Sequence, residues 1–355
     1  MNQTESSVFI ASVGTATPPL SMNQSEAKKY LGKYCSDKLS ERSISVMNKV
    51  LSHPSVMKRN FALDDPNDLF KEGRDDRMSR FVRWAVDLSA EAIDKALDQA
   101  DLTRNNISGI VVNTCTGYIC PGISTYLIEK LGLSKRTKVY DLVGGGCGGA
   151  VPNLDIAKAI LNGNNDEGVI LSVSVEICSA TFQMGNNLSL IISNAIFGDG
   201  AAAAVISKKS TGMKLIDSAS LCAPENREAV RFIHKNGELH NQISVRLPEM
   251  IGEAVINVIE DLLKRQSLKI EDINHWAIHA GGDKIISVVK DRLGLTEKQL
   301  EPSRKILSNY GNMSSPTVWF VVNEIMKNGF KKDALCMAIT FGAGLSAHAF
   351  LLKKQ

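Results

Sequence analysis

The sequence predicts an α/β protein of two duplicated βαβαβ-containing halves, residues 1–205 and 206–355. The first observation is a run of alternating elements from residue 107: "ISGIVVNTCTG", "GISTYLIEKLGL", "TKVYDLV", a glycine turn, "AVPNLDIAKAIL" and "GVILSVSVEI". The second is the same order from residue 272, given by "DINHWAIHAGG", "DKIISVVKDRLGL", "RKILSNYGN", "SSPTVWFVVNEIM" and "DALCMAITFGAG". Strands alternating with helices imply a sheet with parallel strands and helices on its faces. The third is a set of matched landmarks about 160 residues apart: Gly132 with Gly294 in the two "LGL" strings, Gly117 with Gly281, and Pro152 with Pro316. That offset is far too long for a solenoid period and points to duplication of a whole α/β unit.

Ahead of these units, "MNQTESSVFIASVGTATPP" has no basic n-region and only a short apolar run, so it reads as a first strand and turn rather than a signal peptide. Composition is that of a globular chain, 44% hydrophobic and 22% charged, with a formal charge of only +3 over 355 residues. No Lys/Arg block suggests nucleic acid, and no apolar run reaches membrane-spanning length. The seven cysteines are scattered without a CxxC pair, which argues against a disulfide framework or zinc knuckle and fits a reducing cytoplasm.

Overlay of the halves puts Cys147 and Asn312 at equivalent strand-to-helix junctions, and His279 opposite Cys115. Ligands of α/β sheets bind at the carboxyl ends of strands, so packing of the halves would converge these positions on one site.

The turn "VGGGCGGA" admits three readings. Gly144-x-Gly146-x-x-Gly149 matches a dinucleotide fingerprint, with Glu176 as a ribose carboxylate, but Glu176 lies 27 residues past Gly149 instead of about 20. A P-loop is excluded because no Gly-Lys-Ser/Thr follows. A buried structural thiol is the common fate of cysteine, yet five flanking glycines imply close backbone approach or unusual dihedral angles. A cysteine at a helix N-terminus has its thiolate favoured by the dipole and free amides, which makes Cys147 a candidate nucleophile.

Its partner is sought among six histidines. Only His279, in "WAIHAGGDK", stands at a strand end followed by glycines; His234 and His240 read as a polar loop and His348 as structural. Asn312 in "SNYGNMSSPTV" reads either as a helix N-cap or, with His279, as a pair of donors to a thioester carbonyl.

Together "GGGCGGA", "IHAGG", "LSNYGNMSS", "NAIFGDGAAAAVI" and "GTATP" resemble the type III polyketide synthases, the chalcone-synthase-like branch of the thiolase superfamily. The resemblance implies a thiolase-like five-layer αβαβα fold, a homodimer, and a Cys147–His279–Asn312 triad with no metal or redox cofactor. It implies that Cys147 takes an acyl group from a coenzyme A thioester, while His279 and Asn312 bind malonyl-CoA and stabilise its enolate. Repeated condensation and ring closure to a pyrone or resorcinol-type product would follow. It further matches Phe197 to a gate, Cys115, Thr181 and Ser314 to cavity positions, and Cys120 to a residue reaching into the partner's cavity.

Three departures stand out. An aliphatic residue, near Val245, replaces a second gate phenylalanine, and Ala343 replaces proline in "TFGAGL". Met47, Val50 and Pro54 stand where basic residues for coenzyme A phosphates are expected; Lys49, Lys58 and Arg59 are nearby substitutes, and an acyl carrier protein is the alternative donor. Competing functions are a single-condensation β-ketoacyl synthase or simple acyltransferase and, more remotely, an NAD-dependent oxidoreductase. Val245 and Cys115 favour an aliphatic starter.

Overall fold

The structure is a computed structural model that describes residues 7–35, 37–163 and 168–355, so the first six residues of the N-terminal segment lie outside the described residues. The chain opens with β1 (Val8–Ala16), β2 (Leu20–Asn23), α1 (Gln24–Cys35) and α2 (Glu41–Leu51). It continues through β3 (Lys58–Phe61), α3 (Asp68–Lys71), α4 (Arg74–Gln99), β4 (Ile107–Thr114), α5 (Ile123–Leu131) and β5 (Lys138–Val143). Next come α6 (Ala150–Gly163), β6 (Val169–Glu176), α7 (Leu188–Ile196) and β7 (Gly200–Ser207). The second half holds β8 (Met213–Cys222), β9 (Val230–Lys235), β10 (Glu238–Ile243), α8 (Leu247–Arg265) and β11 (His275–Ile278). It ends with α9 (Asp283–Leu293), α10 (Glu297–Tyr310), α11 (Thr317–Lys327), β12 (Leu335–Gly342) and β13 (Ser346–Lys354).

Nine strands join in the order β11-β12-β13-β8-β1-β7-β6-β4-β5. Outward from the centre, one arm runs β1-β7-β6-β4 and the other β8-β13-β12-β11, which is the duplicated pattern. The arms meet through only three antiparallel pairs, Val8–Leu215, Phe9–Lys214 and Ile10–Met213. Strand β4 is parallel to β5 and β6, and β11 is parallel to β12, so the inner βαβ units survive in both arms.

Helices occupy three layers around these arms. Residues of α6 and α11 share one core with β1, β4, β6 and β7 on one side and β8, β12 and β13 on the other. The face of α11 toward this core is nearly continuous, with Thr317–Asn323 and Ile325 all buried. A helix apolar on all sides belongs between two sheets, whereas α4, with its polar outer face, covers the first arm from outside. Helices α8 and α9 cover the second arm in the same way. A smaller core gathers α1, α2 and α7 with Phe61, Leu63 and Phe182.

Two expectations are corrected. "RKILSNYGN", expected as the counterpart of strand "TKVYDLV", lies in α10 up to Tyr310, so among the described residues the second arm has no equivalent of β5. The helix is built locally: Thr296 caps it with Gln299 in a capping box, and Leu300, Ser303, Ile306 and Leu307 bury one stripe. The "HKNGELH" segment is not a loop but the β9–β10 hairpin, turning at Asn236 and Gly237, both at positive φ. An Asn-Gly pair supplies that two-residue turn at little cost, because both residues tolerate the left-handed region.

Candidate active site

Cys147 lies on a 3-10 turn, Gly146–Gly148, between β5 and α6. The glycines make room for protein rather than for ligand. Gly146 sits at φ +55, and a side chain on it would lie 3.1 Å from the Ala343 nitrogen. A side chain at Gly342 would come within 2.4 Å of the Gly148 nitrogen, so the end of β12 and the turn touch backbone to backbone.

The thiol is not a resting thiolate, contrary to what its place before a helix suggests. Burial pushes Cys147 up to about 12, and the Glu176 carboxylate adds to this; hydrogen bonds from Ser314, its own amide and Asn312 oppose the rise. One weak dipole cannot offset desolvation of a sulfur anion.

His279 follows directly on β11, with its backbone nitrogen donating to Ile339 O at 2.8 Å and its ring edge-on to Phe341. The ring is wholly buried, which holds it down to about 3, and neither ring nitrogen has a hydrogen-bond partner among the described residues. Buried polar atoms are nearly always paired, so an imidazole with both nitrogens unpaired is a candidate for binding a ligand. Asn312 stands across Gly281: its Nδ2 donates to Gly281 O at 3.1 Å, and its Oδ1 accepts from Ser314 N at 2.8 Å. That second bond holds Ser314 at φ +58, a conformation costly for a residue with a side chain. The side chain of Asn312 thus reaches Cys147 from the same loop that carries Ser314.

Glu176 was weighed as a ribose carboxylate, and the structure corrects this. It is fully buried and accepts from the Cys115 and Thr116 amides, Thr116 Oγ1, Thr114 Oγ1, Ser314 Oγ and Ser315 Oγ at 2.9–3.2 Å. No acceptor is left for a nucleotide; the carboxylate instead ties the ends of β4 and β6 to the Asn312–Ser315 loop. Burial raises its pKa and those donors pull it back. A second hub, Asn113, links Ser315, Ser174 and Asn153 of α6. Neither hub was recognised from sequence, although a lone Glu ending the apolar strand "VILSVSVE" was the available signal.

The thiol faces an apolar cavity with about 1110 Å³ of empty space, counting its open mouth. Phe197, Cys115, Thr181 and Ser314 line it, as does Phe232 of the β9–β10 hairpin, which sequence reasoning did not single out. A more polar cavity adjoins it, with Cys115, Thr181, Phe232 and Ala343 among the residues lining both. Val245 is 75% exposed and lines neither, and Cys120 is likewise exposed and outside both. Arg59 cannot serve coenzyme A phosphates: it is buried, and its guanidinium donates to Gln24 and to the Asn194 and Phe197 carbonyls. Lys49 and Lys58 are the exposed cations of that group. Met47 is buried under α2.

His279 and Asn312 line neither cavity, and of the three candidates only Cys147 does. A thiol on a glycine turn at an apolar cavity, between two matched α/β arms, fits a condensing enzyme of the thiolase fold. Residues 11–219 match the family described as FAE1/Type III polyketide synthase-like protein, and residues 216–354 match chalcone and stilbene synthases, C-terminal domain. The chain belongs to the type III polyketide synthases, malonyl-CoA-dependent condensing acyltransferases that use coenzyme A thioesters. It is 25% identical to a 3,5-dihydroxyphenylacetyl-CoA synthase of Streptomyces toyocaensis, over 97% of this chain and 89% of that one. It is 27% identical to the alpha-pyrone synthesis polyketide synthase-like Pks18 of Mycobacterium tuberculosis, over 96% and 90%. The solved structure of PKS-I from the brown alga Ectocarpus siliculosus superposes with a TM-score of 0.91 at 25% identity, covering 100% of both chains. Among the described residues no helix is long and apolar enough to cross a membrane.

Proposed function

We propose that Cys147, His279 and Asn312 form the catalytic triad of an iterative condensing enzyme that cyclises its product to a pyrone or resorcinol-type ring. In loading, the Cys147 sulfur bonds to the acyl carbon of a thioester, the coenzyme A sulfur leaves, and the thiol proton passes to it. Malonyl-CoA then binds with its thioester carbonyl against Asn312 Nδ2 and an N–H of His279. The bond to the carboxyl carbon breaks, carbon dioxide departs, and the electron pair is held as an enolate by these two donors. The enolate carbon bonds to the acyl carbon, and the Cys147 sulfur leaves and is reprotonated. His279 suits this role because burial keeps it neutral, so it donates as imidazole without a charge to desolvate.

The observation that carries the reading is the doubly unpartnered, buried imidazole beside an amide that reaches the thiol. The reading extends to acyl-CoA donors near Lys49 and Lys58, with a carrier protein as the alternative donor. It also extends to a homodimer with Cys120 at the partner's cavity, to chemistry without metal or redox cofactor, and to the cytoplasm. Intact-protein mass spectrometry after incubation with an acyl-CoA is expected to show one added acyl group, absent from Cys147→Ala. Labelling of the variant at the same level overturns the assignment. With malonyl-CoA present, a product carrying several malonyl-derived units supports iteration; a single unit indicates one condensation.

A further inference from the structure

Asn113, near the end of β4, is buried between the two pieces of chain that carry Cys147 and Asn312. Its Oδ1 accepts from Asn153 Nδ2 of α6 at 2.9 Å and from Ser174 Oγ of β6 at 2.8 Å, and its Nδ2 donates to Ser315 Oγ at 2.8 Å. The same Nδ2 lies against the start of α6, since a side chain on Gly149 would come within 2.9 Å of it. Ser315 is fully buried in the loop that leads from Asn312 into α11. The link Asn153–Asn113–Ser315 therefore runs from the helix behind the thiol to the loop of Asn312, and from one half of the chain to the other. Leucine fills a similar volume but neither accepts nor donates, and an ionised aspartate cannot donate; an amide of this length does both.

We propose that Asn113 is a positioning residue: through Ser315 it fixes the Asn312 loop against the Cys147 helix, and so sets where the Asn312 amide stands during decarboxylation of malonyl-CoA. The inference rests on the reading of Asn312 as a donor to the enolate. Loading of Cys147 depends on the link much less, because the cysteine turn has its own support from β12. There Gly342 meets the turn backbone to backbone, and Thr340 Oγ1 donates to Gly148 O at 3.3 Å. A donor displaced by a fraction of an ångström leaves binding of the rest of the substrate intact but meets the developing charge poorly, so the loss falls on kcat more than on KM.

The test compares two partial reactions of one preparation: loading of Cys147 from hexanoyl-CoA, read as the rate of mass gain, and decarboxylation of malonyl-CoA, read as carbon dioxide released. Asn113→Ala and Ser315→Ala open the link from opposite ends. Each is expected to lower kcat for decarboxylation by on the order of tenfold with KM little changed, and to leave loading within about twofold of the parent. Because both act on one link, the double variant should lose about as much as either alone, whereas independent effects would multiply to about a hundredfold. The ratio of the two reactions does not depend on the folded fraction, and Ser315→Ala, which deletes a single oxygen, keeps the test open should Asn113→Ala fail to fold. A ratio unchanged from the parent's, or losses that multiply, overturns the link and leaves the reading of Asn312 standing. Asn312→Ala decarboxylating at the parent rate overturns that reading, and this inference with it.

Discussion

Cys147 and His279 are held apart in charge by burial, one near 12 and the other near 3, so the resting pair is thiol and neutral imidazole. Alkylation of Cys147 is therefore expected to be slow at neutral pH and to rise without a plateau through the alkaline range. Because the Glu176 carboxylate is one of the groups raising the thiol, Glu176→Gln should increase the alkylation rate at fixed pH; a slower rate would refute that electrostatic role. The histidines also set a pH window for stability. His279 and His348 fall from 6.5 to about 3 and about 4 on folding, so below 6.5 the unfolded chain binds more protons than the folded one. Thermal midpoints should drop as pH falls from 6.5 toward 4, and His348→Gln should shallow that slope. Cys147, His279 and Asn312 stand out as candidates in sequence because each sits in a glycine- or serine-rich string at a strand or helix end. Glu176 and Arg59 were misjudged because a charge looks the same in sequence whether it is solvated or sealed among donors.

The turn that carries Cys147 is shaped by its neighbours as much as by its own glycines. Gly342 ends β12 against it, and a methyl there would meet backbone, which cannot rotate away. Gly342→Ala is expected to cost about 1–3 kcal/mol in denaturant unfolding and to slow acylation, because the displaced atoms are those of the nucleophile turn. Strands β4, β6 and β12 were readable as short β-branched runs bounded by glycines. The α10 segment was not, because analogy with the first half overrode its own capping box and helical stripe; β9 and β10 were lost because polar composition outweighed their Asn-Gly turn. Local signals were present in both cases and lost to a broader pattern.

The boundary expected at residues 205 and 206 does not divide the core. One core takes side chains from both halves, with α6 and α11 packed between the arms, so neither half can bury its inner layer alone. Denaturation is expected to follow one cooperative transition by fluorescence and circular dichroism alike. The halves expressed separately should lack fixed tertiary signals, and two resolved transitions would contradict this. The repeated order of strands is foreshadowed by the spacing of the glycine and proline landmarks, whereas the sharing of a core is a property of three dimensions that spacing does not record.

Strand β5 ends the sheet, its Val139, Tyr140 and Val143 are exposed, and Val143 lies with exposed Tyr118 and Met78 around one cavity. Val143 is followed by Gly144, and Cys147 comes three residues later. Whatever seats on that edge bears on the same short piece of backbone that aims the sulfur. Were the homodimer proposed above to seat there, it would stiffen the nucleophile's support, and specific activity would decline on dilution before any loss of folded protein. The rate constant would then carry a record of protein concentration, and Tyr140→Asp should show at high concentration the weakened catalysis that the parent chain shows only when dilute.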